Sequence, residues 1–452
     1  MKAIDTLRQT FASGLTRDVN WRLQQLAGLA AMLEERQQDF CSALQQDLGK
    51  GHAEAWATEV GYTLKDIQLT RKNLKKWLRP RKVGTPVVAK PGHSKLVLEP
   101  LGCVLVFGAW NYPLQLSLSP VVAAVAAGNT VLLKPSEVSP ATSAMLAKWL
   151  PEYVDDNALK VVEGDAEVAT QLLQHRFDHI FYTGGGEVGK VVMRAAADYL
   201  TPVTLELGGK SPVIVTAHCD IQVAAKRVAW GKWINAGQTC IAPDYVLVDS
   251  AVAEPFKQAL VQAIEAFYGT EPQRSKDYGR IVNARHFNRL KGLLQDQQII
   301  NQQDYDRREL YMAPMLIDNP SRQSAIMQDE IFGPLLPICP VANLDAAIQA
   351  IRSLPKPLAC YAFTQDSHEQ ARIETEISCG SLCFNDTLVF MLNPELPFGG
   401  VGSSGMGRYH GEFGVRTFSH EKPVMVRSFK FDVSLRYPPF SKKKLNWLKK
   451  LM

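Results

Sequence analysis

The chain has 452 residues, of which 46% are hydrophobic and 21% charged, and a formal net charge of +5. That length predicts two or three domains rather than one core, and the composition excludes a disordered chain. No basic stripe with interleaved aromatics precedes the C-terminus, which argues against nucleic acid; eight cysteines without a C-x-x-C pair suit reduced thiols in a cytosol, not a disulfide framework or a zinc site.

The first fourteen residues read as the start of an amphipathic helix with Lys2, Asp5 and Arg8, lacking the apolar core of a signal peptide. A cytoplasmic location is expected. Up to Arg79 apolar residues such as Leu23, Leu26, Leu29 and Leu33 recur at helical spacing. Thr85–Val88 and Lys95–Leu98 flank Lys90-Pro91-Gly92 and predict a β-hairpin. Alone it cannot bury itself, so it should pair elsewhere. The apolar window from Leu114 to Leu133 contains Gln115, Pro120, Gly128 and Asn129, and predicts a buried helix and strand rather than a membrane span.

From Gly102 onward strands and helices alternate. Strands are expected at Gly102–Phe107, Thr130–Leu133, Leu159–Val162, His179–Tyr182 and Val203–Glu206, with helices between them. The fold class is α/β with a mostly parallel sheet, and ligands should gather at the strands' carboxyl ends. A second α/β pattern starts at Pro212–Val215 and runs to Ser381–Asn385. Beyond a glycine-rich run (residues 399–407), strand-like text returns at Pro423–Ser428.

Two stretches compete for a dinucleotide. Gly184-Gly185-Gly186-Glu187-Val188-Gly189 matches G-x-G-x-x-G between a strand and a helix, with Glu206 about 20 residues on. Alternatively Lys134 and Glu137, after the strand Thr130–Leu133, hold the adenosine ribose while the glycines offer helix N–H groups to the pyrophosphate. The second arrangement leaves Glu206 free for chemistry and is preferred; the bland reading is that the glycines only permit close packing.

The chemistry centres on Asn235-Ala236-Gly237-Gln238-Thr239-Cys240. A thiolate at Cys240 adds to an aldehyde. The tetrahedral oxyanion needs donors, which the Asn111 amide and the Cys240 backbone N–H can supply. Glu206, bared by Leu207-Gly208-Gly209, can act as general base on a thioester. Bland readings stand beside these: Asn111 as a helix cap, Glu206 as a buried partner of Lys210, Glu330 as an ordinary turn acid. The seven other cysteines and His410 read as structural.

Six motifs in order then resemble the aldehyde dehydrogenase superfamily: Trp110-Asn111-Tyr112-Pro113, Lys134-Pro135-Ser136-Glu137, Glu206-Leu207-Gly208-Gly209-Lys210, Gly237-Gln238-Thr239-Cys240, Glu330-Ile331-Phe332-Gly333-Pro334 and Pro397-Phe398-Gly399-Gly400. The run from Gly405 to Gly411 and the stretch Arg436–Pro439 look like the class 3 branch. Gly185 stands where many relatives have serine, and Ser403 where class 3 relatives often have asparagine.

The resemblance implies two Rossmann-like α/β domains plus a small bridging sheet. Residues 1–82 and 101–206 would bind NAD, 207–396 would form the catalytic domain, and 83–100 with 397–435 the bridging segment. It implies NAD(P)-dependent oxidation of an apolar aldehyde, aliphatic or aromatic, by a homodimer. NAD is expected to be preferred, because Glu137 would face a 2′-phosphate, with NADP possible beside Lys134. Glu330 and Phe332 are implied at the nicotinamide ribose and Trp110 near the cofactor, while Tyr62, Tyr112, Leu116 and Trp233 are candidate pocket walls by analogy. The rivals are an acylating reductase using CoA or phosphate, a cysteine hydrolase, and a non-catalytic scaffold; Glu206 argues against the first, and the absence of a recognisable histidine partner against the second.

The last segment, 436–452, puts Leu445, Leu448 and Met452 on one helical stripe, flanked by Trp447 and Leu451 and backed by lysines. It is too short to span a bilayer. Packing on the protein body, as a lid over the substrate funnel or a plain docked helix, is favoured over weak peripheral contact with anionic lipid.

Overall fold

The computed structural model describes residues 2–301 and 304–451. The strand–helix alternation builds two six-stranded sheets; the chain passes from the first to the second after Glu206 and returns to the first at Gly405. The strands of these two sheets and of a third, three-stranded one are, in chain order, β1 (Arg81–Val83), β2 (Gly92–Pro100), β3 (Cys103–Phe107), β4 (Thr130–Lys134), β5 (Leu159–Val161), β6 (His179–Thr183), β7 (Val203–Glu206), β8 (Pro212–Val215), β9 (Tyr245–Asp249), β10 (Met315–Asp318), β11 (Leu335–Val341), β12 (Ala359–Phe363), β13 (Ser381–Phe384), β14 (Gly405–Met406) and β15 (Ser419–Arg427).

The first sheet has the order β14-β7-β6-β3-β4-β5 and is parallel except for β14. β3 to β5 step outward in one direction; the chain then returns to lay β6 against β3, with Phe107 opposite Tyr182. Such a reversal opens a crevice at the carboxyl edge. The second sheet, β10-β11-β9-β8-β12-β13, is parallel throughout. Strands covered on both faces read as continuous apolar runs, and every residue of β3, β4, β6, β8 and β12 is buried.

Four helices matter to the site, α1 (Gly61–Trp77), α2 (Gln115–Ala127), α3 (Gly186–Ala197) and α4 (Ile221–Trp233); α5 (Lys442–Leu451) is the last helix. α5 rests on the turn Ser434–Arg436, and Met452 of the expected stripe lies outside the described residues. All thirteen residues of α2 are buried, so the most apolar window is core. Among the described residues no helix is long and apolar enough to cross a membrane.

The expected hairpin is corrected in its first arm. β2 pairs not with residues 85–88 but with β1, Arg81 lying opposite Leu96. Pro86 has no N–H to give a ladder, and Val87–Ala89 curl into a 3₁₀ turn with exposed valines. The far side of β2 pairs with β15 over nine residues, from Pro100↔Ser419 to Gly92↔Arg427. The segment 397–435 is not all in this sheet: β14 joins the first sheet beside β7, and the helix Gly411–Thr417 lies on α2. There a Cβ on Gly414 would stand 2.9 Å from that of Ala123, so only glycine fits.

Candidate functional site

Each group singled out in the first sheet stands at a carboxyl edge. Asn111 follows β3, Lys134 ends β4, Gly184–Gly186 follow β6, and Glu206 ends β7. From Glu206 the chain crosses through Leu207–Ser211 into β8, so the crevice of the first sheet faces the second.

Cys240 lies in the turn between α4 and β9. α4 is stopped by three consecutive residues in the left-handed region, Asn235, Ala236 and Gly237, with φ of 53°, 51° and 75°. Non-glycine residues hold that region only under constraint. Here the constraint is a set of amide staples. Asn235 Nδ2 donates to the carbonyls of Asn111 (2.8 Å) and Gln238 (3.0 Å). Gln238 Nε2 donates to the carbonyls of Asn235 and Arg280, and its Oε1 accepts from Val282 N–H. A Cβ on Gly237 would come within 2.2 Å of the Gly333 carbonyl oxygen. The Cys240 loop is therefore packed closely against the Glu330–Pro334 loop.

Asn111 does not cap a helix. Its Nδ2 donates to Gln238 O at 3.1 Å, which orients the amide along the Cys240 loop and uses one of its two N–H groups. The N–H groups of Leu114 and Gln115 go instead to Glu59 Oε2, at 2.8 and 3.2 Å. Glu59 is fully buried, as is its partner Lys50 at 2.5 Å. Lys50 Nζ also donates to Asn111 O at 3.1 Å and sits 3.9 Å from the Tyr112 ring centroid. Sequence reasoning missed this pair, and it missed Glu54, whose carboxylate accepts from Asn235 N–H at 2.8 Å and is pushed up to about 7 by burial.

Glu206 is 3% exposed, and neither carboxyl oxygen has a hydrogen-bond partner. Burial alone pushes it well above the usual carboxylate range. Its backbone is fixed on both sides, by Gly405 in β14 and by Gly184 N–H at 3.0 Å. Lys210 is not its partner: that ammonium pairs with Asp244 and donates to the carbonyls of Ile326 and Asp329, both at 2.9 Å. Glu330 is pushed up to about 8 by burial, with Asp244 adding repulsion. Its Oε2 lies where a Cβ on Gly208 would be 2.1 Å away. The Cys240 thiol is pushed up by burial first, then by Glu330 and Glu206, so one cluster holds the thiol and both carboxyls.

The glycine loop passes a test for a dinucleotide. A Cβ on Gly185 or Gly186 would meet nothing within 4 Å, whereas one on Gly189 would be 3.0 Å from Leu207 and one on Gly184 would be 2.3 Å from the Tyr182 hydroxyl. Close packing thus explains Gly184 and Gly189 but not the middle pair. No side chain caps α3, so open space meets free helix donors, the setting that receives a pyrophosphate. Lys134, buried, is 2.5 Å from the half-exposed Glu137, a donor and an acceptor side by side as ribose hydroxyls require. Trp110 meets Phe332 edge-on at 5.2 Å between centroids and His286 at 4.8 Å.

Residues 1–424 match the family model described as "Aldehyde dehydrogenase family". The chain belongs to the aldehyde dehydrogenase family. It is 45% identical over 444 residues to aldehyde dehydrogenase family 3 member A2 of Pongo abelii, covering 98% of this chain and 91% of that one. It is 45% identical over 434 residues to "Aldehyde dehydrogenase, dimeric NADP-preferring" of Rattus norvegicus, covering 96% of each. The substrate-bound structure of Staphylococcus aureus AldH superposes with a TM-score of 0.97 at 43% identity, over 99% and 98% of the two chains. The enzyme is of the class 3 kind, an NAD(P)-dependent oxidoreductase acting on aldehydes, on the fold expected.

The candidate pocket walls of this dehydrogenase separate into three groups. Tyr62 lines an open apolar cavity of about 250 Å³ with Leu69, Met391, Leu392 and Pro394. Tyr112 and Leu116 form a small cluster with Ala109, and the Tyr112 hydroxyl is 2.8 Å from Thr239 Oγ1, next to Cys240. Trp233 is corrected: at 1% exposure, with its indole N–H on Pro334 O, it is core. His410, read as structural from the sequence, and Asp66, not singled out there, also line the Tyr62 cavity. No residue of α5 does, so the tail forms no lid there. His410 is stacked on Phe398 at 5.3 Å, its Nε2 lacks a partner, and burial lowers it to about 4. No spacing signal ties it to residue 62; the three-dimensional fold does.

Proposed function

We propose that this dehydrogenase oxidises apolar aldehydes to acids through a thioester on Cys240. The observation that carries the reading is Glu206, a buried carboxyl with no partner on either oxygen. Such a group costs stability and is kept where chemistry uses it. The Cys240 thiolate adds to the carbonyl carbon. The free N–H of the Asn111 amide and the Cys240 backbone N–H hold the resulting oxyanion, and the Gln238 carbonyl keeps that amide aimed. Bound NAD(P)⁺ supplies the hydride acceptor. Ionised Glu206 then takes a proton from the water that attacks the thioester, and the C–S bond breaks to release the acid and restore the thiolate.

The cofactor would be held by the Gly184–Gly189 loop and by Lys134 and Glu137, with Glu330, Phe332 and Trp110 at the nicotinamide end. NAD is the preferred form in this reading, because the Glu137 carboxylate repels a 2′-phosphate. The relative named NADP-preferring and the adjacent Lys134 make NADP a usable second cofactor. The lining of the Tyr62 cavity favours an aliphatic or aromatic aldehyde over a charged one. A homodimer is supported by the rat relative's name and by two exposed surfaces. β15 is a nine-residue edge strand, and α3 exposes Val188, Val191 and Met193. Eight free thiols fit a cytoplasmic setting.

The test is Glu206→Gln under rapid mixing. A burst of NADH near one per subunit, then very slow turnover, is expected. Loss of the burst together with cofactor binding would make Glu206 a ribose ligand and overturn the assignment.

A further inference from the structure

Among the described residues four lysines are buried, and three of them have a partner. Lys50, Lys134 and Lys257 each have a carboxylate oxygen 2.5 to 2.7 Å from Nζ. The fourth, Lys232, is 1% exposed and has neither an ion pair nor a hydrogen bond among the described residues. An ammonium taken out of water without a partner is among the costliest groups a fold can hold. Such groups are kept where a site uses them.

Lys232 is the last residue but one of α4, and its neighbour Trp233 ties that helix to Pro334 O at 2.9 Å. The charged groups that face it are Asp244, Lys210 and Glu330. Two of these are satisfied without it. Asp244 Oδ1 accepts from Ile331 N–H at 2.9 Å, and its Oδ2 pairs with Lys210. Lys210 directs its other two donors to the carbonyls of Ile326 and Asp329. Arg289 donates to the carbonyls of Glu330 and Ile331, at 3.3 and 2.5 Å, rather than to a carboxylate. The Glu330 carboxyl receives the Gly209 N–H but, among the described residues, has no ion pair. Lys232 and Glu330 are therefore the cation and the acid of this cluster that the protein leaves unmatched.

We propose that Lys232 is a positioning residue for the dinucleotide, an ammonium held beside Glu330 to keep that carboxylate ionised for the nicotinamide ribose. The inference rests on the placing of Glu330 at that ribose. Ribose hydroxyls are donors. An ionised carboxylate accepts from both, whereas a protonated one must find an acceptor for its own O–H. Burial and Asp244 push Glu330 up to about 8, against the Gly209 N–H, Lys210 and Arg289, and the Cys240 thiol faces it too. A cofactor that fills the crevice displaces water and strengthens the attraction between Lys232 and Glu330.

The test measures binding, not turnover. NADH, whose nicotinamide is uncharged, and AMP, which reaches only the adenosine end, are titrated into the full chain between about pH 6.5 and 9. NADH should bind more tightly as the pH rises and Glu330 ionises. Lys232→Met should move that rise up by about one pH unit and raise the Kd for NADH about tenfold at pH 7, with the Kd for AMP unchanged. It should melt no lower than the parent, because an unpaired buried ammonium stabilises nothing. Glu330→Gln should weaken NADH and remove the pH dependence, and adding Lys232→Met to it should change little, since Lys232 acts through Glu330. An unchanged Kd for NADH in Lys232→Met, or its full loss repeated on top of Glu330→Gln, would overturn the proposal. So would a lower melting temperature with AMP weakened as much as NADH, which would make Lys232 structural. Unchanged NADH binding and pH profile in Glu330→Gln would instead remove Glu330 from the ribose, and the inference with it.

Discussion

At the scale of single residues, Cys240 shares a cluster with two carboxyls raised by burial, Glu206 and Glu330. Cys240→Ala should abolish dehydrogenase activity while the fold and cofactor binding persist; equal losses on substituting Cys219 or Cys339 would overturn the nucleophile assignment. Cys240 and Glu206 both have their charged forms disfavoured by burial, so kcat/KM should rise with pH as the thiol ionises, and kcat as Glu206 does. The same burial has a stability consequence. A carboxyl raised in the folded state contributes fully below its unfolded value near 4.3, and that contribution is lost as pH climbs towards the folded value. Glu206→Gln should therefore melt higher than the parent at pH 8, by about 3 °C, and the gap should close towards pH 4. A gap that does not depend on pH would mean that Glu206 is ionised in the folded enzyme. At the ribose, Glu137→Gln should raise the NADP-to-NAD ratio of kcat/KM about two- to fivefold, the size expected of a half-exposed charge; an unchanged ratio would put the ribose elsewhere.

At the scale of elements, the loops that carry Asn111 and Cys240 are held from beneath by residues of the N-terminal helical region. Lys50 bridges Glu59 to the Asn111 carbonyl, and Glu59 in turn supplies the missing cap of α2. Lys50→Met should destabilise the enzyme by about 3–5 kcal/mol, because it strands a buried carboxylate. The pair K50M/E59L should recover much of that stability but not the rate, since Asn111 loses its anchor; full recovery of kcat would show that the pair only packs. The strands were legible in the sequence because buried parallel strands are short apolar runs bounded by turn residues, and β3 to β8 fall within a residue or two of their expected bounds. Asn111 and Glu206 stood out as polar groups at the carboxyl ends of β3 and β7, and Cys240 by its Gly-Gln-Thr-Cys setting. Lys50 and Glu59 were not, being nine residues apart among many surface charges, with their partners fifty residues on. The first hairpin arm failed for a local reason: Val87 and Val88 have strand propensity, but Pro86 breaks the ladder. Trp233 failed because a tryptophan at a helix end can face either core or cleft.

At the scale of the whole molecule, two surfaces are left that a single copy does not satisfy. β15 pairs with β2 along its full length and offers its other edge to solvent, with Met425 and Val426 exposed. A nine-residue open edge is an aggregation hazard unless something covers it. α3 gives its inner residues Gly189, Val192 and Ala196 to the first sheet and turns Val188, Val191 and Met193 outward. A dimer that continues one subunit's sheet across β15 while closing over α3 would bury both at once. Val188→Glu/Val191→Glu should then shift the mass in solution from two chains to one at micromolar concentration. The chemistry is expected to survive in part, because neither side chain faces the thiol. Gly185 and Gly186 beside them are the proposed seat of the pyrophosphate, so KM for the cofactor should rise more than kcat falls. An unchanged mass by light scattering would remove α3 from the interface and leave β15 as the surface to test.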